Sequence, residues 1–208
     1  MGRLLAGPYG PTIGKIGNNV QYMLNGKNVI RMCGVTSKPP TIKQLADRQR
    51  MKVANAFVKT VQPVINVGFK FIVADTDRNQ YNEAVSYHKK NAVIGEYPDQ
   101  AIDFTKVKLS TGALPAPVNP AINKLTEGVE FTWETPVLNE YIRRSDKAML
   151  LIYYPENGSS IFNCEANRSE GKQLIEVPEK MKNAYFEAYI FFLAWDGNSV
   201  SESVYVSQ

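Results

Sequence analysis

The run Val129-Glu130-Phe131-Thr132-Trp133-Glu134 alternates apolar and polar side chains and carries a tryptophan near its end. Successive side chains of a strand leave opposite faces of the pleat, so this two-residue period predicts a half-buried strand. Further along, Tyr185-Phe186-Glu187-Ala188-Tyr189-Ile190-Phe191-Phe192-Leu193-Ala194-Trp195 gives way to Asp196-Gly197-Asn198-Ser199, then to the alternating Ser203-Val204-Tyr205-Val206. Turn residues between apolar runs mark connections between strands. Strands are predicted at 104–109, 129–133, 148–154, 161–164, 174–177, 186–194 and 200–206, separated by prolines in 115–120 and turn residues in 156–159. Short strands at this spacing fit a two-sheet β-sandwich.

Residues 1–100 read differently. The first seventeen are rich in glycine and proline (Gly7-Pro8-Tyr9-Gly10-Pro11, then Gly14 and Gly17) and predict an irregular arm. Asn25-Gly26 then separates Val20-Gln21-Tyr22-Met23-Leu24 from Lys27-Asn28-Val29-Ile30-Arg31-Met32. A type I′ turn needs positive φ at both central residues, and Asn-Gly supplies it, so a hairpin is predicted. Its register sets Leu24 against Lys27, Tyr22 against Val29 and Val20 against Arg31. Met23, Ile30 and Met32 then point to the other face, and both faces are partly apolar. A lone hairpin is marginal in water, so this one calls for cover on both sides.

Pro39-Pro40-Thr41 introduces a helix with Thr41 as N-cap. Ile42, Leu45, Ala46, Val53, Ala54, Phe57, Val58 and Val61 make its apolar stripe, and Pro63 ends or kinks it. Residues 64–73 read as a short helix or a buried strand, with Gly68 leaving the choice open. A second helix is predicted over 79–93, with Tyr81, Ala84, Val85, His88 and Ala92 on one face and Gly95 at C′. Residues 96–103 read as a linker. The predicted fold is therefore α+β: an N-terminal arm, β-hairpin and two helices in 1–100, joined to a β-sandwich in 101–208.

Charge is unevenly distributed. The whole chain carries +4, but residues 1–60 hold ten Lys/Arg and one acid, Asp47, while 61–208 hold fourteen Lys/Arg and nineteen acids. The first segment is thus +9 and the rest −5. Such a split points to an acidic partner for the N-terminal part, either nucleic acid or the acidic half of another copy. No apolar stretch is long enough for a membrane helix. The start, Met1-Gly2-Arg3-Leu4-Leu5-Ala6-Gly7-Pro8, has too short an apolar run for a signal peptide, and Ala6 stands where a myristoylation signal has Ser or Thr. A cytoplasmic product, a processed one or export by a non-standard route is expected, the last placing the chain outside the cell if it forms filaments.

Residues suited to catalysis are few. His88 is the single histidine, and any His-dependent triad must use it; on a helix beside Lys89-Lys90 it reads as a surface residue. Cys33 and Cys164 are too few for a zinc site and read as free thiols. Asp75-Thr76-Asp77-Arg78-Asn79 resembles the start of a calcium loop, but Gln80 stands where glycine is needed and Ser86 where glutamate is needed. Capping of the following helix is the simpler role. Gly10, Gly14 and Gly17 with Lys15 lack the spacing of a phosphate loop. Glu130 and Glu134 share the outward face of one strand and read as solubilising residues. No enzyme activity, no cofactor and no metal is expected.

The C-terminal half resembles fibronectin type III domains, with Trp133 as the core tryptophan and 185–206 as the last two strands. No Arg-Gly-Asp stands in the loop between them, so integrin-style binding is not implied. Over nearly its whole length the chain also resembles an uncharacterised family of Bacteroidota proteins of about this size, known as a domain of unknown function. Gly14-Lys15-Ile16-Gly17-Asn18, Gly26-Lys27-Asn28-Val29, Pro39-Pro40-Thr41, Tyr81-Asn82-Glu83-Ala84-Val85-Ser86-Tyr87, Lys147-Ala148-Met149-Leu150 and Ser203-Val204-Tyr205-Val206 carry that resemblance. It implies no activity.

The expectation is a structural protein that associates with itself head to tail, as a subunit of a filament or surface assembly. Ile13, Ile16, Tyr22, Val29 and Ile30 are the candidate docking residues, and Arg48, Arg50 and Lys52 the candidates to face a neighbour's acids. A monomeric protein-binding adaptor is one alternative. A nucleic-acid-binding protein using the basic helix is another.

Overall fold

Asn25 and Gly26 take φ of 49° and 74°, the left-handed pair that a type I′ turn requires. The computed structural model, which describes residues 2–4, 12–35, 37–74, 76–135 and 145–206, places a hairpin on that turn. Its strands pair Leu24 with Lys27, Tyr22 with Val29 and Val20 with Arg31, the predicted register. The hairpin does not stand alone. Strands β1 (Gly2–Leu4), β2 (Gly14–Ile16), β3 (Asn19–Leu24) and β4 (Lys27–Met32) form one antiparallel sheet in the order β1-β4-β3-β2. The segment expected to be wholly irregular thus contributes β2, which turns into β3 through Gly17 at φ 57°. Gly7-Pro8-Tyr9-Gly10-Pro11 and Asp75 lie outside the described residues.

Contacts divide the chain into two compact units, Met1–Ile42 and Lys43–Gln208. The smaller contains the four-stranded sheet. The larger contains the helices α1 (Ile42–Thr60, starting at the boundary), α2 (Gln62–Gly68) and α3 (Gln80–Asn91). A small hairpin follows, β5 (Val93–Ile94) and β6 (Ala101–Ile102), and then β7 (Val118–Lys124), β8 (Gly128–Glu134), β9 (Lys147–Tyr154), β10 (Ser159–Asn163), β11 (Lys172–Glu176), β12 (Glu187–Leu193) and β13 (Val204–Val206). The fold is α+β, as predicted. The expected division at 100/101 falls inside the larger unit, because its helices and sheets share a core.

Asn79 starts α3 by accepting from the Asn82 amide at 2.7 Å, the capping role expected of it. Residues 64–73 resolve into α2 and the turns after it. Gly68 has a steric reason: a Cβ there would sit 2.0 Å from the Leu109 carbonyl oxygen. Gly95 is not the C′ residue of α3, whose C-cap is Ala92; at φ 84° it opens the turn between β5 and β6 instead.

Strands β10-β9-β12-β13 make a four-stranded antiparallel sheet and β11-β8-β7 a three-stranded one. Between them Val129, Phe131, Trp133 and Ile175 meet Leu150, Ile152, Ile190 and Phe192. The alternate residues of β9 and β12, Met149, Leu151, Tyr153, Tyr189 and Phe191, pack instead with Phe57, Val58, Val61, Ile65 and Val85 of the helices. The larger unit therefore has three layers: helices, four-stranded sheet, three-stranded sheet. Strands covered on both faces read as continuous apolar runs, and 148–154 and 186–192 do so.

Two strand predictions need correction. Residues 104–109 do not form a strand; Phe104–Lys106 is a 3-10 turn whose Thr105 amide donates to Asp103 Oδ1 at 3.2 Å. The strand that completes the sandwich is β7, in the proline-rich stretch expected to be a separator. It tolerates Pro120 because it is an edge strand, and its ladder with β8 shifts register between Val118 and Ala121, with Asn119 at φ 45°.

One end of the sandwich is closed by a buried ion pair. Arg168 Nη1 lies 3.6 Å from Asp146 Oδ2, both side chains almost fully enclosed. The guanidinium sits 4.1 Å from the centroid of the Phe192 ring. Arg168 Nη2 donates to the Pro115 carbonyl, and Trp133 Nε1 donates to the Arg168 carbonyl, each at 2.8 Å. Burial pulls the Arg168 pKa down, and the Asp146 charge opposes that shift.

Three layers make a testable demand on two adjacent residues. Phe191 faces the helices and Phe192 the other sheet, so alanine at either position should cost about 3–5 kcal/mol. Urea unfolding followed by circular dichroism checks this. A two-layer sandwich with a solvated outer face would spare one of the pair.

Candidate functional site

Alternation in the small sheet sorts the candidate docking residues onto two faces. Tyr22 and Val29 are a cross-strand pair, beside Val20 and Arg31, and the Arg31 guanidinium stands 5.9 Å from the Tyr22 ring centroid. Ile16 and Ile30 are on the opposite face, with Met23 and Met32. The structure therefore does not gather the five into one patch. Val29 is 2% exposed, buried within the single chain, and offers nothing to another molecule. Tyr22 and Ile30 are half-buried. Ile13 at 73% and Ile16 at 56% are well exposed.

Sequence reasoning passed over other exposed apolar residues of this unit: Met23, Leu24, Met32 and Val35. Met23 and Met32 were legible from the hairpin register, which set them on the face of Ile30. Strand β2 is an edge of the sheet and is exposed along its length, and it pairs only with β3 among the described residues.

Arg48, Arg50 and Lys52 are exposed on α1, and none has an ion pair among the described residues. At about 100° per residue, Arg48 and Lys52 share a face and Arg50 lies about 160° away from Arg48. The three do not form a single basic patch. Asp47, the lone acid of residues 1–60, is engaged by Lys89 at 2.8 Å, which ties α1 to α3. On the sandwich, Glu127, Glu156, Glu165 and Glu176 are exposed and have no ion pair among the described residues.

His88 is not a surface residue. It is fully buried, its Nδ1 2.7 Å from the Ala84 carbonyl oxygen, and its ring packs against Phe57 and Tyr87. Its place on the stripe of Ala84, Val85 and Ala92 was the available signal. Burial pushes its pKa from 6.5 down to about 4, against backbone hydrogen bonds to Ala84 and Lys108 that raise it. Another buried ionisable group, Glu187, accepts from the hydroxyls of Tyr185 (2.5 Å) and Tyr205 (2.7 Å). Burial raises the pKa of Tyr205, with the hydrogen bond to Glu187 adding to the shift. Cys33 and Cys164 are free thiols, the first half-buried and the second exposed. Among the described residues, no group of three or more His, Cys, Asp or Glu is placed to hold a metal ion. None of their helices is long and apolar enough to cross a membrane.

A model described as "Family of unknown function (DUF6266)" matches residues 11–207. The chain belongs to this family. The match takes in the edge strand β2, the basic helix and both sheets of the sandwich, so these are parts of one family unit. Neither a search of curated proteins nor a search of solved structures found a match.

The buried His88 makes stability depend on pH. The unfolded chain binds a proton near pH 6.5, whereas the folded chain resists it until about 4. Stability is therefore complete above 6.5 and falls as pH drops from 6.5 towards 4, by up to about 3 kcal/mol. Urea midpoints across that window should show the loss, and His88→Phe should flatten it. An equal slope in the variant would assign the loss to other groups.

Proposed function

We propose that this protein is a non-enzymatic structural subunit that associates with itself head to tail. The observation that carries this reading is the state of the small unit. Among the described residues its strands form one sheet, and the exposed edge strand β2 carries Ile16, with exposed Ile13 just before it and exposed Met32 at the end of β4. A sheet normally buries one face against a second layer, and an open edge presents unpaired N–H and C=O groups. A neighbouring molecule can supply both kinds of cover. The charge split supports the direction of contact: basic residues 1–60 complement the exposed acids Glu127, Glu156, Glu165 and Glu176 of another copy, which have no ion pair among the described residues. Contacts between two different surfaces run on into filaments unless the rotation closes a ring.

The sandwich itself we read as fibronectin-III-like, a fold common in spacers and docking modules. The three-plus-four strand division, Trp133 on the second strand against Phe192, and the Asp196-Gly197 turn before the last strand support that reading. A nucleic-acid-binding role has one observation in its favour, Arg48 and Lys52, exposed on one face of α1 and without an ion pair among the described residues. No array of exposed aromatic side chains accompanies them on that helix, so the stacking half of single-strand recognition is missing there.

Light scattering on the full chain across a range of concentrations tests the main reading. Species well above the single-chain 23.3 kDa should form, weaken with added salt, and revert to one chain in Ile13→Lys/Ile16→Lys. Strictly monomeric protein at high concentration sinks self-association. A salt-sensitive gel shift with DNA or RNA by that monomer favours the basic-helix alternative.

A further inference from the structure

We propose that strand β10 is the acceptor edge for a second copy of this chain, whose β2 adds to it as an extra strand. The inference rests on the self-association reading and names the two surfaces that meet. Most of the other sheet edges in the larger unit are blunted or covered. Strand β7 carries Pro120 and a register shift. Strand β11 has Lys172 and Glu176 at its two ends. Strand β13 is preceded by a stretch flanked by the 109–114 segment, through Ser203 N to Ser110 O at 3.4 Å and Leu114 N to Val200 O at 3.1 Å. Proline, charge, irregularity and cover are the usual protections of an edge.

Strand β10, Ser159-Ser160-Ile161-Phe162-Asn163, has none of the first three. Among the described residues its ladder is with β9 alone. Among the described residues, helix α1 hydrogen-bonds at the beginning of β10, where Ser160 Oγ donates to Thr60 O at 3.0 Å and Thr60 Oγ1 donates to Gly158 O at 3.4 Å. Among the described residues the stretch 161–163 has no backbone partner on its outer side, and Phe162 is exposed. That stretch is three residues long, and so is β2.

Charge selects the occupant. Exposed Glu156 and Glu165 bracket β10, with no ion pair among the described residues, and β2 brings Lys15. Alternation sets Ile13 and Ile16 on opposite faces of the added strand, so one of the two would cover the exposed Phe162 ring. Backbone pairing supplies affinity in strand addition, and the flanking side chains supply selectivity. Because donor and acceptor edges differ, each copy keeps one of each, and the pairing can repeat.

Cys164, exposed at the end of β10, makes this directly testable. Thr12→Cys and Asn18→Cys, which flank β2 at its two ends and leave Lys15 in place, are placed separately in a full-length Cys33→Ser background and oxidised with diamide, which covers either strand direction. Disulfide-linked dimers and longer ladders are expected on non-reducing gels, absent in Cys164→Ser and about tenfold weaker with Phe162→Lys. Light scattering on the same samples separates the failures. Assembly without any link to Cys164 overturns the β10 acceptor and leaves self-association standing. A single-chain product, linked internally or not at all, overturns both.

Discussion

Burial of β9 and β12 on both faces is the constraint on which the larger unit depends. Each strand sends alternate side chains into two different cores, one under the helices and one between the sheets. Neither core is complete without these strands, and neither half of the chain can bury its apolar surface alone. A sandwich whose central sheet presents Met149, Leu151, Tyr153, Tyr189 and Phe191 outward would expose a large apolar face. The helices are therefore a required third layer. This explains why α1 to α3 and the sheets fall in one compact unit, while the β1–β4 sheet falls in another.

The amount of this that was legible in the sequence depended on how local the signal was. Asn25-Gly26 set the hairpin register residue by residue because turn geometry and pairing are fixed within the same few residues. The alternation of 129–134 was equally plain, since one face of β8 is solvated. The continuous runs of β9 and β12 announced strands but not what covered their second face. Strand β7 was hidden because Pro120 suits an edge as well as a loop, and β2 because three residues between Gly14 and Gly17 show no period. His88 was misplaced by its lysine neighbours, although it stands on the apolar stripe of α3. Long-range cover decides all these cases, and local pattern cannot report it.

The candidate site was less legible than the fold. Exposure of Ile13 and Ile16 followed from glycine-rich surroundings with nothing local to bury them. Val29 was read from its pairing alone, and pairing says nothing about depth. Arg48, Arg50 and Lys52 are alternate in sequence, a spacing that gathers residues on a strand but scatters them around a helix. Only the 48–52 pair survives that geometry.

What remains is an imbalance of charge between the two ends of the sequence. Asp47 is engaged by Lys89, both in the larger unit, so the one acid of residues 1–60 is already paired. On the other side, Glu156 and Glu165 stand beside β10, an uncharged, proline-free edge strand that α1 meets at its beginning. Sheet edges left open are aggregation hazards, and the same sandwich guards β7 with proline and β11 with charge. Random association would use every edge, whereas the proposed pairing uses an edge between acids, which would favour a short basic strand over an acidic one.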